Sequence, residues 1–310
     1  MSSKTEEEIK FISIKKCKKI GEGMFSEVFD LANKTIVKVM SKQTPFDDIV
    51  YEYEISKKAH EIGIPCPKTY GIVQTELGYG IIYEKIEGVT LNKYLKKHPK
   101  MYEIYAEKYA KMLRKINDIR VEKTEFESIK QIYFSRIKKF AKYGLTQEQV
   151  DFLKQIINLV PEENCLLHGD PRLTNVMITT EGKLVFIDLD NLSYGNPLFD
   201  VCTIYYTLFV MAKRHWFFVE IANGIGYKKS LEFWQIFMIS YFGTNHPETL
   251  EFIEKICEIL ARLREITYLN KPKPKFGVLV DSYIQLVKEK FFENKEETIE
   301  LLLILKENKQ

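Results

Sequence analysis

The chain has 310 residues, 45% hydrophobic and 29% charged, the balance of a soluble globular protein long enough for two lobes. Its formal net charge is only +3 at pH 7, with the lysines spread along the chain, so nothing global calls for nucleic acid or a membrane surface as partner. Five cysteines stand far apart without a CxxC pair, which speaks against a disulfide framework or a zinc site and for a reducing, cytoplasmic compartment.

The opening MSSKTEEEIK is polar and acidic, without the apolar core of a signal peptide. No later segment approaches the roughly 20 uncharged apolar residues of a membrane span. Three β-like runs follow: FISIKKCKKI (Phe11 to Ile20), SEVFDLA (Ser26 to Ala32) and TIVKVM (Thr35 to Met40), separated by GEG and ANK turn signals. The basic cluster at Lys15–Lys19 leads into the first of them and reads as a solvated edge. DDIVYEYEISKKAHEIGI has helical spacing, with Asp47 or Asp48 as the N-cap and Gly63 ahead of two prolines as the stop. TYGIVQT and YGIIYEKI then complete about five strands in hairpin order.

Around Gly88 the character changes. Four segments with helical periodicity cover residues 91–98, 102–119, 128–144 and 146–160. Short strands interrupt at Cys165 to Leu167, Asn175 to Thr179 and Leu184 to Ile187. From Leu198 onward the pattern is almost wholly helical. The expectation is a β-rich part over residues 1–84 and a larger, mostly helical part over 85–310, without internal repeats.

Three features bear on chemistry. In IGEGMFSEVFDL, Gly21 and Gly23 allow the backbone to approach a ligand and offer N–H groups to phosphate, or they simply turn a hairpin. No helix follows, so this is not a dinucleotide fingerprint, and no GK[ST] follows, so it is not a Walker loop. Lys38 lies in an apolar strand, where a lysine costs desolvation unless paired. Either Glu52 or Glu54 is its partner, or it faces water at an edge. Finally, LLHGDPRLTNVMITTEGKLVFIDLDN places Asp170, Asn175 and Asp188 after apolar runs at one end of a small hairpin. Phosphoryl transfer needs such a set: a carboxylate near the acceptor hydroxyl and hard oxygen donors for magnesium.

HGDPRLTN followed by IDLDN resembles the signature HGDxxxxN…xDxD/E of the aminoglycoside phosphotransferase and choline kinase superfamily, small-molecule kinases with a protein-kinase-like fold. The likeness runs in order through most of the chain: Gly21 to Val28, Lys38, YEYEISKKAHEIGIPCPKTYG, GIIYEKIEGVTL and GNPLFDV. It implies an α+β, bilobal architecture with a small β-rich N-lobe. It also implies that ATP (or GTP) and Mg2+ are used to phosphorylate a small-molecule hydroxyl acceptor. By the same resemblance, Asp170 is the catalytic base and Asn175 and Asp188 are the metal ligands. Gly21, Gly23 and Ser26 belong to the nucleotide loop. Lys38, held by Glu52, binds the α- and β-phosphates, and the backbone of Glu84 and Ile86 meets the adenine edge. His168 is expected to support the loop through hydrogen bonds, and Asp200 either to bond the catalytic loop or to cap the helix that begins near Leu198. Arg172 departs from the His or His-Pro of many relatives, and either neutralises the transferring phosphate or faces solvent. Asp190 either assists a second metal or caps a turn.

The acceptor is not named by these motifs. The aromatics Tyr205, Tyr206, Phe209, Trp216, Phe217, Phe218, Tyr227, Phe233, Trp234, Phe237, Tyr241 and Phe242 either cage a quaternary ammonium or fill a helical core. Glu220, Glu248, Glu251, Glu254, Glu258 and Asp281 are offset by neighbouring lysines and arginines, so no strongly acidic cleft for a polycation is evident. A protein kinase is disfavoured because HGD and IDLD stand where HRD and DFG would. A non-catalytic nucleotide-binding module remains the rival reading.

Overall fold

Lys38 sits in a strand whose alternate residues face two different cores, and that alternation organises the first half of the molecule. The computed structural model describes residues 9–23, 25–140, 145–214, 219–268 and 291–308. The chain divides into two compact units, Met1–Tyr94 with Thr174–Asn191, and Leu95–Leu173 with Leu192–Gln310.

In the first unit an antiparallel sheet contains β1 (Lys18–Glu22), β2 (Ser26–Asp30), β3 (Thr35–Met40), β4 (Thr69–Thr75) and β5 (Gly78–Glu84), in the order β1-β2-β3-β5-β4. Val37 and Val39 pack with Ile14, Phe29 and Val73 on one face. Met40 packs with Ile81 and Ile49 on the other. Ile49 belongs to helix α1 (Phe46–Glu61), so period-two alternation turns Lys38, which lies between Val37 and Val39, toward the helix. The helix begins one residue before the expected acidic cap. Pro45 is the N-cap, and Asp47 and Asp48 occupy the first turn, where they favour the positive end of the helix dipole.

The expected strand from Phe11 is corrected to one that starts at Lys18. A turn with Cys17 N–H bonded to the Ile14 carbonyl breaks the run, and Lys10 and Ile12 instead bond the backbone of Gln74 in β4. A second sheet of the same unit joins β6 (Gly88–Thr90) to the acid-bearing hairpin.

That hairpin is built from a strand over Val176–Thr179 and one over Leu184–Phe186. Gly88 lets β6 lie against it: a Cβ there would stand 2.1 Å from the Ile178 carbonyl oxygen. Only glycine fits at that contact.

The second unit contains α2's last turn (α2, Leu91–Lys97), α3 (Tyr102–Asn117), α4 (Ile129–Phe140), α5 (Gln147–Leu159), α6 (Leu198–Tyr205), α7 (Met211–Arg214), α8 (Val219–Asn223), α9 (Tyr227–Phe242), α10 (Pro247–Tyr268) and α11 (Lys295–Glu307). β7 (Cys165–Leu167) pairs antiparallel with Ser193–Gly195. In chain order the remaining strands are therefore β8 (Val176–Thr179), β9 (Leu184–Phe186) and β10 (Ser193–Gly195). Thr146 and Gln149 form a reciprocal capping box at the start of α5. Ala106 and Ala110 on the buried face of α3 admit the aromatics of α9. Tyr109 lies 5.7 Å from Phe237, and Trp234 stacks on Phe237 at 5.8 Å. Between α6 and α7 the helix widens into a π turn over Tyr206–Val210, and the Asn223 side chain donates to the Thr207 carbonyl at 3.0 Å. No helix among the described residues is long and apolar enough to cross a membrane.

Candidate active site

The first unit carries a charge cluster on the α1 side of its sheet. Lys38 Nζ donates to Glu52 Oε1 at 2.9 Å and to Asp188 Oδ1 at 2.7 Å. Tyr83, on β5 beside Ile36, donates its hydroxyl to the same Glu52 oxygen at 3.0 Å. Burial alone would lower the Lys38 pKa, but the carboxylates of Asp188 and Glu52 outweigh it and hold the ammonium well above its usual value; Asp190 adds to the effect. Asp188 follows β9 in a left-handed conformation, φ 64°, a strained state for a non-glycine residue and common at functional positions. The Ile187 N–H bonds the Asn175 carbonyl at 2.9 Å, so Asn175 and Asp188 stand at the same end of the β8–β9 hairpin.

Gly21 pairs with Val28 in the β1–β2 hairpin. At its tip the Gly23 N–H bonds the Ser26 carbonyl at 2.8 Å. Glu84 ends β5 with its N–H on the Lys68 carbonyl at 2.8 Å, and Ile86 follows two residues later.

The second unit carries the loop after β7. Gly169 adopts φ 80°, which turns the chain sharply before Asp170. Asp200, fully buried at the start of α6, accepts the N–H groups of His168 and Gly169, each at 2.8 Å, and the Asn117 amide at 2.9 Å. Burial pushes its pKa up against these donors. Asn117 also donates to the Leu166 carbonyl and accepts the Tyr241 hydroxyl. The Tyr109 hydroxyl bonds the Pro171 carbonyl, and His168 Nδ1 accepts the Asp170 N–H at 3.4 Å. His168 and Asp200 thus support the loop, as expected of them.

Asp170 itself is gripped by two guanidinium groups. Arg172 Nε lies 2.9 and 3.0 Å from its two oxygens and Arg172 Nη2 lies 2.6 Å from Oδ2. Arg264, from α10, donates to Asp170 Oδ1 at 2.8 Å and to the Gly169 carbonyl at 3.1 Å. Burial works to raise the Asp170 pKa, but Arg264 and Arg172 overcome it and hold the carboxyl below the usual range.

Residues 16–233 match the phosphotransferase enzyme family, which is more than half of the chain. The chain belongs to that family. It is a small-molecule kinase by membership, and no curated protein sequence matches it closely enough to name more. Solved structures share the protein-kinase-like fold, with a small β-rich N-lobe and a larger helical C-lobe. The ADP-bound aminoglycoside phosphotransferase APH(2'')-Ib aligns with a TM-score of 0.57 at 17% identity, over 89% of this chain and 94% of that one. A streptomycin–ATP complex of APH(2'')-IIa gives 0.57 at 15% identity, over 89% and 93%. An ethanolamine kinase from Plasmodium vivax gives 0.55 at 16%, over 90% and 83%.

Within this phosphotransferase, two participants have no motif to announce them. Tyr83 steadies Glu52, and Arg264 holds Asp170. Arg264 falls four residues after Leu260 and eight after Ile256, both fully buried; an arginine in an apolar stripe signals a buried acidic partner. The aromatics split the other way. Tyr205, Phe233, Trp234, Phe237 and Tyr241 are buried against one another, as a core rather than a cage, while Trp216, Phe217, Phe218 and Asp281 lie outside the described residues. Among the described residues no three His, Cys, Asp or Glu side chains gather into a metal cage. The Asn175 amide oxygen and the Asp188 carboxylate are nevertheless hard donors of the kind Mg2+ takes alongside water and phosphate oxygens, so the donor set fits that ion.

Proposed function

We propose that the enzyme transfers the γ-phosphoryl group of ATP (or GTP) to a hydroxyl group of a small molecule. The observation that carries this reading is the draw of Lys38 to Glu52 and Asp188 at once, in a family of phosphotransferases. A lysine kept protonated by two carboxylates is a fixed cation for nucleotide phosphates. The β1–β2 hairpin with Gly21, Gly23 and Ser26 belongs to the same nucleotide-binding part. With the Glu84 N–H bonded to Lys68, adenine contacts at this edge fall to the Glu84 carbonyl and the Ile86 backbone.

Asn175 and Asp188 would hold Mg2+, which supplies neutralisation of charge on the phosphate oxygens. Asp170 orients the acceptor hydroxyl and takes its proton. The acceptor oxygen forms a bond to the γ-phosphorus, the bond from that phosphorus to the β–γ bridging oxygen breaks, and the nucleoside diphosphate leaves. Because two arginines hold Asp170 ionised, it is a weak base, and its contribution is chiefly orientation with proton acceptance late in the transfer. The test is Asp170→Ala: turnover of ATP with acceptor is abolished while calorimetry still records ATP binding. Unchanged turnover would sink the assignment. In the wild type, ATP binding without transfer or hydrolysis would favour a non-catalytic module.

A further inference from the structure

The last residue of α3, Asn117, is 2% exposed and has both amide hydrogens and its amide oxygen in use. Its nitrogen donates to the Leu166 carbonyl and to Asp200 Oδ2, each at 2.9 Å, and its oxygen accepts the Tyr241 hydroxyl at 2.7 Å. Those bonds fix which way the amide faces, because the reversed orientation would set its oxygen against two acceptors. We infer that Asn117 is a positioning residue for phosphoryl transfer: it holds the strand leading into the loop that carries Asp170 and, through Asp200, the loop itself. This rests on the reading of Asp170 as the group that meets the acceptor hydroxyl.

Leu166, in the strand before the loop, is held on both of its peptide groups by the end of α3. Its carbonyl takes the Asn117 amide, and its N–H donates to the Ile119 carbonyl at 2.9 Å. Beyond β7, Gly169 N–H goes to Asp200 Oδ1 and His168 N–H to Asp200 Oδ2. The Asp200 carboxylate must therefore present both oxygens at once, and the Asn117 donor on Oδ2 sets its rotation from outside the loop. Burial already pushes the Asp200 pKa up, so removing that donor favours the neutral acid. Protonation turns one oxygen into a donor, which opposes the N–H group that the oxygen accepts. The loop then loses a support and Asp170 shifts with it. A displacement of about 1 Å at a reacting group can cost about a hundredfold in rate.

Tyr241 keeps the Asn117 amide from turning. Its ring stacks on Phe237 within α9 at 5.5 Å, and its hydroxyl reaches α3 from there. Lys38, Asn175 and Asp188 belong to the other compact unit, and none of the bonds of the Asn117 amide goes to them.

The experiment is Asn117→Asp in the full chain, which keeps the shape and replaces the donating nitrogen by an oxygen. Turnover is read by an ADP-coupled assay with MgATP and whichever of kanamycin, ethanolamine, fructose or water the wild type uses fastest. At about pH 8, kcat per nucleotide-binding site is expected to fall at least about tenfold, with the Kd for MgADP within about twofold of the wild type. Counting sites by calorimetry removes any loss that comes from unfolded protein. The variant also sets two buried carboxyls against each other, and such a pair retains a proton that a lone carboxyl releases. The ratio of variant to wild-type kcat is therefore expected to rise as pH is lowered from about 8 to about 6, and to fall again as the shared proton leaves. His168, Tyr109, Tyr241 and Cys202 are the other titratable groups that interact electrostatically with Asp200. All four are present in both proteins, so the difference between the profiles belongs to the added carboxyl.

An unchanged kcat, a fall matched by an equal loss of binding sites, or a ratio that does not vary with pH overturns the inference and leaves the phosphotransferase reading intact. Should Asn117→Asp not fold, Tyr241→Phe decides, since it keeps the ring and removes only the donor to Asn117. Its kcat is expected to fall several-fold at an unaltered MgADP Kd, and an unaltered kcat overturns the inference. The phosphotransferase reading fails separately, by wild-type ATP binding with neither transfer nor hydrolysis, and the inference falls with it.

Discussion

Replacing Arg264 by methionine isolates what the α10 arginine does for the loop. The change keeps an unbranched apolar stem and removes the donors to Asp170 Oδ1 and the Gly169 carbonyl. Both members of the Arg264–Asp170 pair have side chains only 9% exposed, so solvent screening does little to weaken the bond. Breaking a buried pair typically costs about 3–5 kcal/mol because a charge is left uncompensated. Arg172 remains on Asp170, which puts the expected loss at the low end, about 3 kcal/mol. Arg172→Met, at a side chain 40% exposed, should cost only about 1 kcal/mol or less. Urea unfolding followed by tryptophan fluorescence suits the measurement, since Trp234 is buried in the same unit. With Asp170→Asn the cycle should show coupling, the double variant losing less than the sum. The pH dependence has a fixed sign. The folded Asp170 pKa is depressed below its ordinary 3.8, so its stabilising contribution is complete above that value and is lost as pH falls through the lower folded pKa. Arg264→Met should move that loss to higher pH. An Arg264→Met protein within about 1 kcal/mol of the wild type, or one no weaker than Arg172→Met, would refute the reasoning.

Lys38→Met should weaken ATP binding by at least about tenfold in calorimetry. In the wild type that binding should not change through Lys38 between about pH 6 and 9, because a raised folded pKa keeps the ammonium until pH climbs beyond its ordinary 10.5; a Lys38-dependent drop in that window counts against the triad. Asn175→Ala and Asp188→Asn should each raise the Mg2+ concentration for half-maximal turnover by about tenfold or more, and a variant with an unaltered Mg2+ titration is not a metal ligand. Gly88→Ala should part β6 from β8, since the new Cβ would be 2.1 Å from the Ile178 carbonyl oxygen. A cost of about 1–3 kcal/mol should appear as faster amide exchange in β8, and unchanged exchange would show that the strands can shift.

Local chemistry makes much of the fold readable. The hairpins from Ser26 to Glu84 follow from alternation and turn residues, and α5 (Gln147–Leu159) from its helical periodicity. The errors have local causes as well. The Ile14 turn interrupts a run whose composition is uniformly β-like. The three-residue strands β6 and β10 are too short to show a period, and they exist because partners distant in sequence complete them. Nothing in Tyr206–Val210 marks a π turn. Its carbonyl at Thr207 is satisfied by Asn223, sixteen residues on.

The candidate site divides along the same line. Asp170, Asn175 and Asp188 are legible because turns and apolar runs do not need three such groups so close in sequence, and Lys38 because a lysine among valines demands a partner. Which partner is another matter. The strand pattern points Lys38 toward α1, where Glu52 and Glu54 both lie, but it contains nothing about Asp188, 150 residues away. Arg264 is the sharper case. Its position after Ile256 and Leu260 reveals a cation turned inward, while the acid that requires it is 94 residues upstream. Burial of a charge is therefore a property the sequence displays at each end separately, and the pairing exists only once the chain has folded. Arg172 reverses the lesson. It lies two residues from Asp170, where it reads either as a phosphate-neutralising group or as a loop residue facing solvent. The fold gives it the Asp170 carboxylate itself, held by Nε and Nη2, a partner that neither reading of the loop arginine contains.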